Sequence, residues 1–148
     1  MKSATMSYKF NSLAALVCAA LCDRVLESEN FLDLFADDAV LEYPFAPEGT
    51  PERLEGKAAI ARHALRLAPL LEFGEMTLGA VYNSGDTVIF ESSCQGRGVE
   101  AGVPYNQDYI SVITLRGGRI VRYQDYWNPL VLISAMGGQE KMAAAYAR

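Results

Sequence analysis

Two long runs of β-type sequence near the end of the chain constrain its fold more than any other feature. They cover residues 103–115 and 119–127, and Arg116-Gly117-Gly118 separates them. Glycine adopts positive φ angles without steric penalty, so this Gly-Gly pair is typical of a tight hairpin turn. The sequence therefore predicts two antiparallel strands, and we expect this hairpin to form one wall of a pocket.

The second of these runs ends in an acidic residue set among aromatic ones. Side chains alternate between the two faces of a strand, so Tyr123, Asp125 and Trp127 share one face. Gln124 and Tyr126 share the other. We place the first set toward the pocket. A carboxyl group surrounded by aromatic rings loses hydration, which raises its pKa toward values useful for proton transfer.

The rest of the chain alternates helical and β-type segments. The predicted elements are a helix capped by Asn11 or Ser12 and ending near Leu26, a short helix at 31–35, a turn at 36–38, a strand at 39–45, a helix at 57–68, strands at 75–83 and 87–97, and a closing helix that starts at Pro129 and breaks at Gly137-Gly138. This order predicts an α+β fold, a strongly curved antiparallel β-sheet with helices packed in its concavity. We expect one domain over residues 1–148, with a core at about 12–130 and peripheral ends at 1–10 and 138–148.

The composition of the chain argues against nucleic acid and membranes as partners. The chain has 148 residues, 51% of them hydrophobic, and a formal net charge of −5. No basic cluster interrupts this acidic balance, so we expect no nucleic acid partner. No apolar run reaches the roughly 18–20 residues that a membrane span requires, so we expect no membrane partner either.

The N-terminal region and the cysteines indicate where the protein resides. Residues 13–22 are apolar or small and resemble the core of a signal peptide, but no small-x-small cleavage site follows them. We interpret them as a buried first helix. The three cysteines are Cys18, Cys22 and Cys94, an odd number without a C-x-x-C motif, which favours reduced thiols in a cytoplasmic protein. With one histidine in the chain, we expect no metal site. Neither Gly96-Arg97-Gly98 nor Gly117-Gly118 lies between a strand and a helix as a phosphate-binding loop would, and we expect no cofactor.

Three segments together resemble a known superfamily. They are 34–44 (LFADDAVLEYP), 54–60 (LEGKAAI) and 118–127 (GRIVRYQDYW). They resemble the nuclear transport factor 2-like superfamily, and within it the SnoaL-like polyketide cyclases and the phenazine-biosynthesis A/B proteins. The resemblance covers about residues 12–130 and implies a cystatin-like cone. It is poor evidence for one reaction, because the superfamily hosts isomerases, cyclases, hydrolases, dehydratases and non-catalytic proteins.

The resemblance excludes one mechanism. Ketosteroid isomerases of this superfamily carry a base aspartate directly before the proline of the first strand, where this chain has Tyr43. Their second acid corresponds to Ser111, and their oxyanion-hole tyrosine falls near Cys18 or Ala19. All three groups are missing, so isomerisation by that machinery is not expected.

Other members of the superfamily match better. The SnoaL-like cyclases use an acidic residue from the closing part of the sheet, a role the resemblance assigns to Asp125. Phenazine A/B proteins pair a helix histidine with a late-strand glutamate, and His63 and Asp125 occupy similar places. Both residues also have a structural alternative. Asp125 could pair with Arg119 or Arg122, and His63 could be a satisfied residue at the border of the apolar stripe of its helix.

These observations lead to a first hypothesis, a cofactor-free enzyme acting on an apolar, cyclic, carbonyl-bearing metabolite. Asp125 would move a proton, and His63 or Tyr43 would polarise the oxygen. The remaining side chains expected to contact substrate are Trp127, Tyr123, Tyr109, Ser111, Phe45, Leu41 and Gln107.

Two alternatives stay open. The same pocket could hold a ligand without catalysis, which the missing isomerase residues favour. Epoxide hydrolysis, which resemblance to limonene-type members would imply, needs a second carboxylate and an arginine, for which Asp108 and Arg97 are the candidates. We also expect a homodimer formed through the open face of the sheet at residues 87–115.

Overall fold

One sheet of seven strands, in the order β1-β4-β5-β6-β7-β2-β3, organises the protein. The computed structural model describes residues 8–148. The strands are β1 Tyr8–Phe10, β2 Phe35–Glu42, β3 Arg53–Glu55, β4 Leu71–Ser84, β5 Thr87–Gly98, β6 Gln107–Arg116 and β7 Arg119–Trp127. Neighbouring strands run antiparallel, except that β2 pairs with β7 in parallel. The predicted α+β class and the meander β4 to β7 are confirmed.

The predicted C-terminal hairpin is the centre of this sheet. β6 and β7 pair antiparallel around Gly117 and Gly118, which have φ angles of 59° and 76°. Both angles lie in the left-handed region that a side chain would disfavour. The register puts Tyr109 opposite Trp127 and Ser111 opposite Asp125. The side chains of the predicted site therefore share one face of two neighbouring strands.

Within residues 8–148, four α-helices and two 3₁₀ helices, Cys22–Arg24 and Phe31–Leu34, accompany the sheet. The α-helices are α1 Leu13–Leu21, α2 Lys57–Leu67, α3 Pro129–Ala135 and α4 Gln139–Tyr146. The Ser12 hydroxyl caps α1 by accepting a hydrogen bond from the Ala15 amide at 3.1 Å. The expected extension to Leu26 was wrong, because Cys22 takes a φ of 54° and the chain turns into a 3₁₀ helix there.

The first central strand lies earlier than predicted. β2 covers Phe35–Glu42 instead of 39–45, and the expected turn at 36–38 lies inside it. The turn-like residues 36–38 coincide with an irregularity in the strand, because the register with β7 shifts between Phe35 and Val40. At the other end Pro44 has no amide proton to donate to a ladder. The chain leaves the sheet at Tyr43, whose amide donates to the Glu52 carbonyl at 2.8 Å.

Irregular pairing bends the long strands. The register between β4 and β5 shifts twice, between Phe73 and Met76 and between Leu78 and Val81. Such bulges increase local twist and curve a sheet. At the first shift, a Cβ added to Gly74 would lie 2.6 Å from the Gln95 carbonyl oxygen, closer than two such atoms can approach. The curved sheet packs its concave face against α1 and α2 around the main hydrophobic core.

The segment expected to be a peripheral C-terminal tail is part of a second core. In α4, Met142 is fully buried, and Ala145 and Tyr146 are nearly so. Their i, i+3, i+4 spacing forms an apolar stripe that packs against α3 and β4. The expectation of a peripheral 138–148 was therefore wrong. Most of the other segment expected to be peripheral, residues 1–7, lies outside the described residues.

Within residues 8–148, no helix is long and apolar enough to cross a membrane. In the same range, no three His, Cys, Asp or Glu side chains cluster closely enough to hold a metal ion.

The glycine at the first bulge provides a test of how the sheet curves. We expect Gly74→Ala to lower the free energy of unfolding by about 2 kcal/mol, since the added methyl group collides with backbone that cannot move independently. Urea denaturation followed by circular dichroism measures the change. Gly79→Ala is the matched control on the same strand, because its Cβ would lie 3.4 Å from the nearest atom. Equal stability of the two variants would contradict this explanation of the bulge.

Candidate active site

The concave face of the sheet and the helices enclose a cavity of about 320 Å³. Most of its lining is apolar, from α1, α2, the sheet and the two C-terminal helices. Among the described lining residues Asp125 carries the sole carboxyl group, and no lysine or arginine is present. A cavity of this size and character suits a small, mostly apolar molecule held by a few polar groups.

Asp125 reaches this cavity from near the C-terminal end of β7. Its Oδ1 accepts a hydrogen bond from the Ser111 hydroxyl at 2.9 Å, directly across the β6–β7 ladder. The Tyr123 hydroxyl in turn donates to Ser111 Oγ at 3.5 Å. Oδ2 of Asp125 accepts no hydrogen bond from any described residue, so it remains available to a ligand. The three side chains form one line of hydroxyl groups that ends on the carboxylate.

Burial raises the pKa of Asp125 from 3.8 to about 7, and the Ser111 hydrogen bond partly offsets that rise. No arginine neutralises the carboxylate, because Arg122 points to the outer face and pairs with Glu42 at 2.6 Å. Arg119 forms no salt bridge with a described residue. The alternative in which Asp125 serves as an arginine partner was therefore wrong. At neutral pH this carboxyl group can both accept and donate a proton.

A row of four rings lines part of the cavity wall. Tyr146, His63, Tyr43 and Trp127 follow one another with ring-centroid separations of 6.3, 5.5 and 5.7 Å. Each neighbouring pair lies within the range in which aromatic rings attract. This row joins α4, α2, the end of β2 and the end of β7. His63 and Tyr43, both singled out in the sequence, are thus brought together at the cavity.

His63 is buried in the cavity wall and carries no charge at neutral pH. Burial, and secondarily the nearby Arg66, lower its pKa from 6.5 to about 4. No hydrogen bond or ion pair joins it to Asp125 or to any other described residue. A neutral imidazole can donate or accept a hydrogen bond, and it cannot serve as a cationic acid here.

Two more tyrosines form a polar pair on the cavity wall. The hydroxyl groups of Tyr105 and Tyr109 lie 2.9 Å apart and share a hydrogen bond. Burial raises the pKa of both phenols above the ordinary value of 10, so both keep their protons at neutral pH. Tyr109 was predicted at this site and Tyr105 was not.

Three of the predicted residues lie elsewhere. Phe45 is 59% exposed and packs against Tyr126 on the outer face, because the chain has already left β2 at that point. Gln107 is buried, but its amide group binds the backbone of Asn128 in both directions, at 2.9 and 3.0 Å. It ties the start of β6 to the end of β7. Asp108 is exposed on the outer face.

The geometry also removes the arrangement required for epoxide hydrolysis. Asp108 and Asp125 lie on opposite faces of the sheet, as strand alternation predicts. Arg97 pairs with Glu72 at 2.8 Å on the surface. Two carboxylates and an arginine are therefore not assembled around one water site. The remaining predicted residues Leu41, Ser111 and Tyr123 all line the cavity.

Tyr105 and Tyr146 are two cavity-lining tyrosines that the sequence prediction missed. Tyr105 had a usable signal, since it continues the alternation of Gln107, Tyr109 and Ser111. Tyr146 also had one, because it ends the apolar stripe of α4. Nothing in the local pattern, however, shows that α4 folds back over the cavity.

The two shifted groups predict opposite effects of pH on stability. Between about pH 4 and 7 the folded protein retains the Asp125 proton that the unfolded chain releases, so this group lowers the free energy of unfolding as pH rises. Between about pH 4 and 6.5 the unfolded chain holds a proton that His63 lacks in the folded protein. This group therefore raises the free energy of unfolding as pH rises. The limiting slope for each is about 1.4 kcal/mol per pH unit.

Urea denaturation of the wild type and of single variants from pH 4 to 8 separates the contributions of Asp125 and His63 to stability. The stability of Asp125→Asn minus that of the wild type should increase with pH up to about 7 and then remain constant. For His63→Gln the same difference should decrease up to about pH 6.5. A pH-independent difference for Asp125→Asn would show that its carboxyl group has no raised pKa.

Comparison with known proteins agrees with this architecture. The sequence pattern of the SnoaL-like domain matches residues 23–123. The chain is 48% identical over 114 residues to the uncharacterised YesE protein of Bacillus subtilis, covering 76% of this chain and 78% of that protein. It is 38% identical over 119 residues to an uncharacterised PhzA/B-like protein of Pseudomonas aeruginosa, covering 79% and 84%.

Solved structures give the same result. A crystal structure described as a proposed isomerase of Bacillus subtilis shares 43% identity, with a TM-score of 0.73, 84% of this chain and 95% of that chain being covered. A phenazine biosynthesis-related protein of Pseudomonas aeruginosa shares the fold at 17% identity, with a TM-score of 0.62 over 86% and 88% of the two chains. The predicted resemblance is confirmed, and the chain belongs to the SnoaL-like family of the nuclear transport factor 2-like superfamily.

Proposed function

We propose that this protein binds a small, apolar, cyclic metabolite bearing a carbonyl group and rearranges it by cofactor-free acid/base catalysis. The reaction class is enolisation followed by cyclisation, isomerisation or dehydration. One observation carries the proposal: the sole carboxyl group among the described lining residues, Asp125, meets the cavity with one oxygen held and the other free. The Bacillus subtilis crystal structure that shares 43% identity is described as a proposed isomerase, which supports this class.

The chemistry assigns one role to each oxygen of Asp125. Ser111 holds Oδ1, so Oδ2 can point at a C–H bond next to a carbonyl. A pKa of about 7 leaves about half of the carboxyl groups ionised at neutral pH, ready to accept a proton and return it elsewhere. The apolar lining excludes water and strengthens each polar contact with the ligand.

The polarising group on the carbonyl oxygen has two candidates in the aromatic row. Neutral His63 can donate a hydrogen bond from one ring nitrogen. Tyr43 is a phenol whose pKa is raised by burial and by the nearby Asp125, so it stays protonated and can also donate. Trp127, Tyr123 and Leu41 supply shape and low polarity around them.

A second candidate function is ligand binding without catalysis. It is favoured by the positions of Tyr43 and Ser111, which occupy the places of the base and second acid in related isomerases. A pocket with one carboxyl group and a neutral histidine can bind an apolar ligand and still perform no reaction. The two functions differ in one observable, exchange of the protons next to a bound carbonyl.

A panel of cyclic ketones tests both functions without knowledge of the natural substrate. Trp127 is the single tryptophan of the chain and lines the cavity, so its fluorescence reports occupancy. We expect at least one ketone to change this fluorescence and to exchange its α-protons in D₂O faster with the protein present, as measured by NMR. Asp125→Asn should reduce that exchange by at least about 100-fold, the usual contribution of a positioned base.

Asp108→Asn is the matched control, since this aspartate lies on the outer face of the neighbouring strand. It should leave both binding and exchange unchanged. Binding without protein-dependent exchange would favour the non-catalytic alternative. Exchange that survives Asp125→Asn would exclude this carboxyl group as the base.

We also propose that the protein forms a homodimer through the outer face of β5 and β6. Ile110 is 46% exposed there, and Ile89 and Val112 are partly exposed beside it. The register places Ile89 opposite Val112 and Ile110 opposite the exposed Glu91, so the three apolar side chains form a short strip that ends beside a carboxylate on the open side of the sheet. A self-complementary strip of this kind suits a two-fold interface.

Light scattering coupled to size-exclusion chromatography tests the dimer at micromolar concentration. The wild type should elute as a dimer, and Ile110→Glu should shift it to a monomer because the buried charge would lack a partner. Leu65→Glu is the control, a 76% exposed position on α2 away from the strip. A monomeric wild type would refute the interface.

We further propose a cytoplasmic location. Cys18, Cys22 and Cys94 are all free thiols in the structure. Free thiols persist in a reducing compartment and are oxidised outside it.

A further inference from the structure

We propose that the paired hydroxyl groups of Tyr105 and Tyr109 form the subsite that binds the ligand oxygen, and that they select neutral ketones. This inference rests on the proposed function and makes it more specific, because it moves the oxygen-binding role from His63 and Tyr43 to a pair of which the sequence indicated Tyr109 alone. It is argued from the geometry of the two phenols and from the absence of cations among the described lining residues.

One of the two hydroxyl protons of Tyr105 and Tyr109 has no acceptor within the pair. The two phenol oxygens lie 2.9 Å apart, so one hydroxyl donates to the other. The Gln107 amide, a donor, also lies beside the Tyr105 oxygen, so it does not take up a phenol proton. The hydroxyl that accepts within the pair still has its own proton, and no hydrogen bond from it to a described residue is present. Since both side chains line the cavity, this proton is available to a ligand oxygen. Donation from the first phenol polarises the second, which makes it a stronger donor than an isolated tyrosine.

The surrounding structure holds the pair in place. Tyr105 is 4% exposed, its amide donates to the Gly96 carbonyl at 2.8 Å, and its ring packs edge-on against Phe73. Tyr109 lies within β6, opposite Trp127. Because both rings are fixed before a ligand arrives, their hydroxyl groups lose little further freedom on binding.

The subsite is within reach of the proposed base. Tyr109 lies two residues from Ser111, whose cross-strand partner is Asp125, so Tyr109 and Asp125 are diagonal neighbours on one face. Such neighbours are about 7–8 Å apart, close enough for long side chains to share one ligand. In a ketone the oxygen and the α-hydrogen are separated by a few bonds, so both can be contacted at once.

The chemistry balances without a cofactor. Oδ2 of ionised Asp125 takes the α-proton, the electrons of that C–H bond form a C=C bond, and the carbonyl π electrons move to oxygen. The free phenol O–H stabilises the resulting enolate oxygen. The proton then returns from Asp125 to another atom of the ligand. Since no lysine or arginine lines the described cavity, a free carboxylate on the ligand would find no compensating charge there.

The experiment compares a bicyclic ketone, 1-tetralone, with its hydrocarbon tetralin, which has the same shape and no oxygen. Isothermal titration calorimetry gives the dissociation constant of each for the wild type, Tyr105→Phe and Tyr109→Phe. We expect the ratio of ketone to hydrocarbon dissociation constants to rise about tenfold in at least one single variant, the value of one lost hydrogen bond. The double variant should lose little more, because the two hydroxyls act as one unit.

Three further measurements decide between sites. Tyr126→Phe, on the outer face, should leave the ratio unchanged. The infrared carbonyl stretch of 1-tetralone bound to the unaltered protein should lie below its frequency in hexane and should move back in the tyrosine variants. An unshifted stretch, or a ratio that changes in Tyr43→Phe and not in the pair, would overturn the assignment.

Failure of this inference is distinguishable from failure of the proposed function. If both molecules bind and the ratio does not respond to either tyrosine, the pair has no role in binding and the cavity remains a ligand site. If neither molecule binds and no other cyclic ketone alters Trp127 fluorescence, the proposed function fails and this inference fails with it. Phenylalanine keeps each ring in place, so the packing of Tyr105 against Phe73 is retained in the variants.

Discussion

The hydrogen bond between Ser111 and Asp125 is the contact on which the interior of this protein depends. It stabilises a carboxyl group in an apolar cavity, where an unsatisfied one would be strongly unfavourable. It exists because the Gly117-Gly118 turn, together with a one-residue register shift between Thr114 and Leu115, sets the β6–β7 register at this point. A slip of one residue would carry Asp125 and Trp127 to the outer face and leave an interior without any acid.

The sequence predicted the central hairpin and the face that Asp125 occupies because period-2 alternation and a Gly-Gly turn act locally. It predicted the start of β2 poorly, because the parallel pairing of Phe35 with Ile120 brings together residues far apart in the chain. The same lack of information about distant contacts explains why Tyr146 was not predicted at the site. An apolar stripe indicates that a helix is buried, but it does not indicate which part of the protein the helix covers. Phe45 was misplaced because Pro44 ends the strand earlier than its β propensity suggests.

The cavity concentrates phenol groups around one carboxyl group. Charge on Asp125 contributes to the raised pKa values of Tyr43, Tyr109 and Tyr123, although burial is the larger cause. The effect favours neutral, protonated phenols, which are hydrogen-bond donors. The interior is therefore poor in charge and rich in donors, a combination suited to a ligand whose oxygen becomes more negative during reaction.

The match to the SnoaL-like domain ends at Tyr123, two residues before Asp125, while Trp127 and Tyr146 lie further along the chain. The residues matched by the family pattern thus stop just short of those that supply the acid and part of the cavity wall. The family pattern therefore establishes the fold of a member. The side chains that complete its cavity must be identified from that member's own final strand and last helix.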